Sequence, residues 1–319
     1  MFSVLSVVKI FFFLYEDLTS KFLHPLSDAL SLTMKFRPSP YLSLAPALVV
    51  ITIMLGASLF YAVLESFGII RVIGQDTLSL DAYRDVLSGT GATGSEFWVS
   101  LGFSLWVSAA SAFFSSALAL MAAVWLSGQK NQTDTLAVNG HLAFPHLAWA
   151  TALLLFFSQS GILARWAAAL GWIDIPADFP ILVRDSFGIG IILHYSIKEI
   201  PFLALIVLGV LRAQPIGYDV VAENLGASRW QRLRYVMIPQ VMPALLAGAL
   251  LVFGLIFSSY EVPALLGIGY PRALPVLALR FFLDPDLGAR SEGMVISLII
   301  TLIVLAVAVV SLKLEERNK

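Results

Sequence analysis

Asp219-Val-Val-Ala-Glu-Asn-Leu-Gly226-Ala-Ser-Arg-Trp-Gln-Arg-Leu-Arg-Tyr-Val236-Met-Ile238-Pro239 reads as a short helix, a glycine break, a basic amphipathic segment and a proline that restarts the chain. Gly226 can take a positive φ at a helix C-terminus without steric cost. Arg229, Arg232 and Arg234 hold the second segment among polar headgroups, while Trp230, Leu233 and Met237 fall at three- and four-residue steps along an apolar face. Two short helices at an angle, lying at a membrane surface between two apolar runs, are the expectation.

The surrounding chain supports that setting. Of 319 residues, 59 % are hydrophobic and 13 % charged, far from the balance of a water-soluble domain. Length alone would suggest about two domains, but a membrane bundle can use the whole chain as one unit because lipid covers its outer face. A hydrocarbon core about 30 Å thick needs roughly 20 mostly apolar residues per helix. Six runs qualify: Tyr41 to Phe67, Phe97 to Leu126, Leu142 to Ser158, Phe187 to Leu211, Met242 to Val262 and Met294 to Leu312. The expected fold is therefore all-α, a polytopic membrane helix bundle with six core spans in one domain over 41–319.

Orientation follows from the excess of Lys and Arg on cytoplasmic loops. With the N-terminus inside, the cytoplasmic set is Lys9, Lys21, Lys35, Arg37, Lys130, Arg212, Arg229, Arg232, Arg234, Lys313, Arg317 and Lys319, and the opposite set is Arg71, Arg84, Arg165, Arg184, Arg272, Arg280 and Arg290. Twelve against seven places both termini, and the loop over 212–240, in the cytoplasm. Residues 1–40 form an N-terminal extension in which Phe2 to Tyr15 is apolar but interrupted by Lys9. A helix lying at the cytoplasmic interface fits this best, with an extra span or a start at Met34 as the alternatives.

No catalytic constellation is present. The sequence has no G-x-x-x-x-G-K-[ST] phosphate cradle, no G-x-S-x-G elbow and no H-E-x-x-H helix. It has no cysteine, and its four histidines, His24, His141, His146 and His194, are dispersed, so no metal site or cofactor is expected. The net charge of -1 gives no argument for nucleic acid. The informative charges are instead inside the membrane, where each costs a few kcal/mol unless paired or hydrated. Lys198 and Glu199 lie near the middle of the fourth run and Glu261 near the outer end of the fifth. All three are candidates for a translocation route, against a structural ion pair for the first two and simple interfacial hydration for Glu261. Ser104, Ser108, Ala112 and Ser116 recur every four residues on the second run, a spacing that lets helices approach closely.

The loop that opens this section resembles the cytoplasmic loop of binding-protein-dependent ABC importer permeases of the type I fold, whose signature is Glu-Ala-Ala, three residues, Gly, nine residues, Ile, one residue, Leu-Pro. Here Ala222, Gly226, Val236, Ile238 and Pro239 keep the spacing, while the leading Glu-Ala is replaced by Val220-Val221, with acids displaced to Asp219 and Glu223. The helix pattern over 97–312 is similar to the family core. Lys198-Glu-Ile-Pro-Phe202 and Tyr260-Glu-Val-Pro-Ala-Leu-Leu-Gly267 resemble its polyamine-type branch.

The resemblance implies a non-enzymatic transmembrane subunit of the bacterial inner membrane that imports a small solute. It implies two ABC ATPase subunits, a second permease of a different chain and a periplasmic solute-binding protein as partners. It makes the segment before the glycine a coupling helix that docks on the ATPase, assigned to Asp219, Val220, Val221, Ala222, Glu223, Asn224, Leu225, Gly226, Ala227 and Ser228. Two other readings stay open at this stage: a loop that merely rests on the membrane, and an ion-coupled secondary transporter using Lys198, Glu199 and Glu261. The solute is read only as small, charged and organic.

Overall fold

The computed structural model describes residues 40–91, 93–127, 140, 144–213 and 218–316. The N-terminal extension expected over 1–40 falls outside the described residues up to 39, as do Lys130, His141, Arg317 and Lys319. By its internal contacts the chain divides into two units, Met1–Leu59 and Phe60–Lys319. Within the first unit, the described residues belong to helix α1 (Pro40–Ser66), and side chains such as Leu48, Ile53, Met54 and Leu55 are exposed, as on a helix solvated by lipid.

The second unit is also helical, and among the described residues the only strand-like pairing is an isolated bridge between Ile70 and Gln75. Beyond the last turns of α1 come α2 (Asp81–Ser88), α3 (Glu96–Ser127), α4 (His146–Phe157), α5 (Ile162–Ala169), α6 (Ile189–Lys198) and α7 (Ile200–Arg212). Then follow α8 (Tyr218–Asn224), α9 (Arg229–Arg232), α10 (Ile238–Ser258), α11 (Glu261–Leu266), α12 (Leu274–Phe282) and α13 (Arg290–Glu316). Six helical stretches are long and apolar enough to cross a membrane: Leu44–Ser66, Glu96–Ser127, His146–Ala169, Ile189–Arg212, Arg229–Ser258 and Leu287–Leu314. They answer one for one to the six runs read from sequence.

The centre of the bundle is α3, which packs against α6, α7 and α10, while α10 and α12 both pack on α13. The serine seam explains how α3 can have so many neighbours. Ser104, Ser108 and Ala112 are buried and Ser116 half-buried, and Ser100, Ser111 and Ser115 extend the small-residue surface beyond the four-residue period. In lipid, association rests on packing and hydrogen bonding, so small side chains are favoured where helices meet. Two of the hydroxyls are accommodated locally, Ser115 donating to the Ser111 carbonyl at 2.7 Å and Ser116 to that of Ala112 at 2.6 Å, whereas the buried Oγ atoms of Ser100 and Ser111 have no hydrogen-bond partner among the described residues. Ser104 does more, because its Oγ accepts from the backbone N–H of Leu274 at 2.7 Å and thereby satisfies the start of α12.

Three boundaries differ from the sequence expectation. The third span does not end at Ser158. The chain turns through Ser158–Gly161 and continues as α5 to Ala169, and the turn is so tight that a Cβ on Gly161 would lie 2.6 Å from the Leu155 carbonyl oxygen. The fifth span does not restart at Pro239, because helix runs on from α9 through a π-helical turn (Leu233–Met237) into α10. Pro239 sits in the first turn of α10, where its missing N–H is accommodated by the wider turn, and Ile238 donates instead to the Leu233 carbonyl. At its far end the fifth span stops at Ser258, so Glu261 is not on that helix but heads the separate α11.

Helices α7 and α10 meet closely at Gly248, where a Cβ would lie 2.8 Å from Ile206 Cδ1 and 3.0 Å from Leu203 Cδ2. Gly248→Leu is expected to destabilise the bundle by about 1–3 kcal/mol through overpacking, read as a lower melting midpoint in detergent. Gly209→Leu, at a position with nothing within 4 Å of its Cβ, is the control expected to leave the midpoint unchanged.

Candidate functional site

The loop between the fourth and fifth spans folds into a defined elbow. Helix α8 ends in a Schellman arrangement: the N–H of Gly226 donates to Glu223 O at 2.9 Å and that of Ala227 to Ala222 O at 3.0 Å. This closure requires a left-handed residue at the turn, and Gly226 has φ +86°. Ser228 then caps the next helix. Its hydroxyl accepts from Gln231 N at 3.3 Å while Gln231 Oε1 accepts from Ser228 N at 2.8 Å, a reciprocal capping box.

Arg232 fastens the two arms of the elbow. Its Nε lies 3.3 Å from Asp219 Oδ1 and its Nη1 donates to Glu223 Oε2, so one guanidinium from α9 holds two carboxylates one turn apart on α8. The two displaced acids of the loop signature therefore have a definite structural use. With Asp219 and Glu223 turned toward Arg232, α8 leaves Val220, Val221 and Leu225 exposed, Leu225 to 83 %. A groove of 450 Å³ runs along Tyr218, Val221, Ala222, Leu225, Tyr235 and Val236, so the exposed apolar side chains border a concave surface.

The candidates inside the fourth span are placed differently from one another. That span is divided at Glu199: α6 ends at Lys198, α7 begins at Ile200, and Pro201 occupies the first turn of α7. Lys198 and Glu199 are both buried, at 4 % and 6 % exposure. Glu199 Oε1 lies 3.7 Å from Nε2 of His146, and among the described residues it accepts no hydrogen bond. The other nitrogen of that ring, His146 Nδ1, lies 3.4 Å from His194 Nε2. Next to His194, the buried Tyr195 donates to Ser259 Oγ at 2.6 Å, tying α6 to the end of α10. Glu261 is exposed on α11 and stands apart from these contacts, though within electrostatic reach of His146.

Two histidines far apart in sequence are thus neighbours in space, which their spacing did not reveal. The usable signal was His146 itself, an ionisable residue opening an apolar run and therefore in need of a partner at membrane depth. Among the described residues no group of three or more His, Asp or Glu side chains is arranged to hold a metal ion. A third set of charges lies at the opposite end of the spans from the elbow. Glu96 receives Arg272 at 2.7 Å and Arg280 at 3.0 Å, Glu65 faces Arg290 at 3.8 Å, and Glu292 accepts from both the backbone and the hydroxyl of Thr93.

The model of the family described as binding-protein-dependent transport system inner membrane component matches residues 86–314. In Escherichia coli (strain K12), the inner membrane ABC transporter permease protein YnjC is 32 % identical over 198 residues, 61 % of this chain and 36 % of YnjC. The sulfate transport system permease protein CysT of the same organism is 33 % identical over 111 residues, 35 % of this chain and 36 % of CysT. The alignments thus span 36 % of the length of each of these relatives. Among solved structures, a bacterial ABC transporter involved in the import of the acidic polysaccharide alginate superposes with a TM-score of 0.70 at 14 % identity, covering 87 % of this chain and 94 % of that one, a likeness of fold. With six membrane-length helices and the family pattern present from Val86 to Leu314, the chain belongs to the binding-protein-dependent transport system inner membrane components.

Proposed function

We propose that this chain is the permease subunit of an ABC importer, translocating a small solute delivered by a periplasmic binding protein and driven by ATP hydrolysis in separate subunits. The observation that carries the reading is the elbow. A glycine-terminated helix, braced by Arg232 and presenting Val220, Val221 and Leu225 outward, is a formed surface with its apolar side chains turned away from its own bundle. Exposed apolar side chains bordering a groove favour a protein partner there. On this reading Asp219 to Ser228 is the coupling helix and dock for an ATPase subunit. The complex holds two such ATPases and a second permease of a different chain.

In this account the permease domain covers 41–319, the extension over 1–40 lies on the cytoplasmic side, and both termini face the cytoplasm of a bacterial inner membrane. ATP binding closes the ATPases and moves the elbow, and the cavity between paired permeases changes from inward to outward access as bodies rotate against each other. Lys198 and Glu199 lie along the route and Glu261 at its outer mouth. CysT is a sulfate permease by name; for this chain the solute class proposed is a small charged molecule.

Because the chain contains no cysteine, single engineered thiols report without background. A photocrosslinker attached at Ala222→Cys or Ala227→Cys is expected to capture a nucleotide-hydrolysing subunit, and capture of lipid alone would contradict docking. Gly226→Pro, which denies the elbow its left-handed turn, is expected to abolish co-purification of the ATPase. Arg232→Gln is expected to lower the retained ATPase about threefold with little change in melting, since partly exposed ion pairs contribute about 0–1 kcal/mol.

A further inference from the structure

The contact between the third and fourth spans is built from ionisable groups, and the proposed coupling mechanism does not use it. His146 opens α4 directly after Pro145 and is 37 % exposed at its side chain, while His194 is fully buried and Glu199 nearly so. One imidazole faces both partners: Nδ1 toward His194 Nε2 at 3.4 Å, Nε2 toward Glu199 Oε1 at 3.7 Å. A neutral imidazole carries one donor and one acceptor, and an ionised carboxylate only accepts. With both rings neutral and Glu199 ionised, a single pattern is consistent: His194 Nε2–H donates to His146 Nδ1, and His146 Nε2–H points at Glu199. Charged or polar groups near this chain of contacts include Lys198, Tyr195 with its partner Ser259 and, at longer range, Glu261.

The position of Glu199 gives the contact its meaning. The half of the fourth span before it, α6, packs on α3, α4 and α11 and is tied through Tyr195 to Ser259. The half after it, α7, packs on α3 and α10 and leads into the elbow. The residue whose carboxylate faces His146 thus stands at the junction of the two halves. Buried carboxylates need donors, and the donor facing Oε1 comes from another helix.

We propose that His146 is a positioning residue of the translocation route, holding the Glu199 carboxylate in place at the break in the fourth span while His194 fixes the tautomer of its ring. This rests on the permease reading given above. The test uses the full complex in nanodiscs with its ATPase and cognate binding protein, and two readouts. The first is the ¹⁵N spectrum of the histidines, of which the chain has four. Glu199→Gln is expected to shift the resonances of both His146 and His194, and a spectrum unchanged at both rings overturns the proposal.

The second readout is ATP hydrolysis stimulated by the binding protein. His146→Gln places an N–H donor where Nε2 stands, whereas His146→Asn preserves only the Nδ1 side and His146→Leu only the volume. Gln is expected to stay within about twofold of the unmodified complex, with Asn and Leu reduced about tenfold, as loss of a buried carboxylate's donor implies. Equal activity of Leu and Gln overturns the positioning role and leaves the contact as packing. An unmodified complex in which the binding protein gives no stimulation removes the permease reading, and the positioning role falls with it.

Discussion

A polar group at membrane depth has no water to turn to, and this chain is arranged around meeting that demand from within. Backbone groups are satisfied by helices. The hydroxyls of Ser115 and Ser116 return to carbonyls of their own helix, and Ser104 serves the start of α12. Charged groups are gathered into a few places rather than scattered along the lipid face: the arginines around Glu96 and Glu65 at one end of the spans, Arg232 with its two acids in the elbow, and the His194–His146–Glu199 contact between. Each of these joins different helices, so the same demand that places the charges also ties the bundle together.

The proposed coupling role draws on how the two ends of the elbow continue. One end leads from α7 and the other passes through the π-helical turn into α10 without a break. Those two helices pack on each other at Gly248, and both pack against α3. In that proposal a displacement of the elbow enters α10, which packs against α7 and α3 at the centre of the bundle. Close-packed interiors pass such displacements on as movement of whole bodies.

Much of this was legible in the sequence. Apolar run length reveals the spans because hydrocarbon thickness sets a minimum helix length, and the interval from Gly226 to Pro239 located the elbow because only glycine closes a Schellman turn without strain. The period of Ser104, Ser108 and Ala112 likewise foretold the buried face of α3. What was hidden depends on tertiary contact. His146 and His194 are 48 residues apart and meet only when α4 lies on α6. Pro239 reads as a helix break, yet the first turn of a helix tolerates proline, so α9 and α10 join. Glu261 follows an apolar run after only Ser258, Ser259 and Tyr260, and the backbone shows that the helix ends at Ser258.

The central claim is that the elbow is a mechanical contact with a separate motor on the cytoplasmic side. It is tested most directly by the mobility of a single nitroxide at Leu225, the most exposed apolar side chain of the loop. In membranes containing the chain alone the account predicts a mobile spectrum, reduced by ascorbate only when the cytoplasmic face is accessible. Adding the ATPase subunit should immobilise the label, and ATP should alter it again. A label that stays mobile with the ATPase present, or is reduced from the opposite face, would contradict the account.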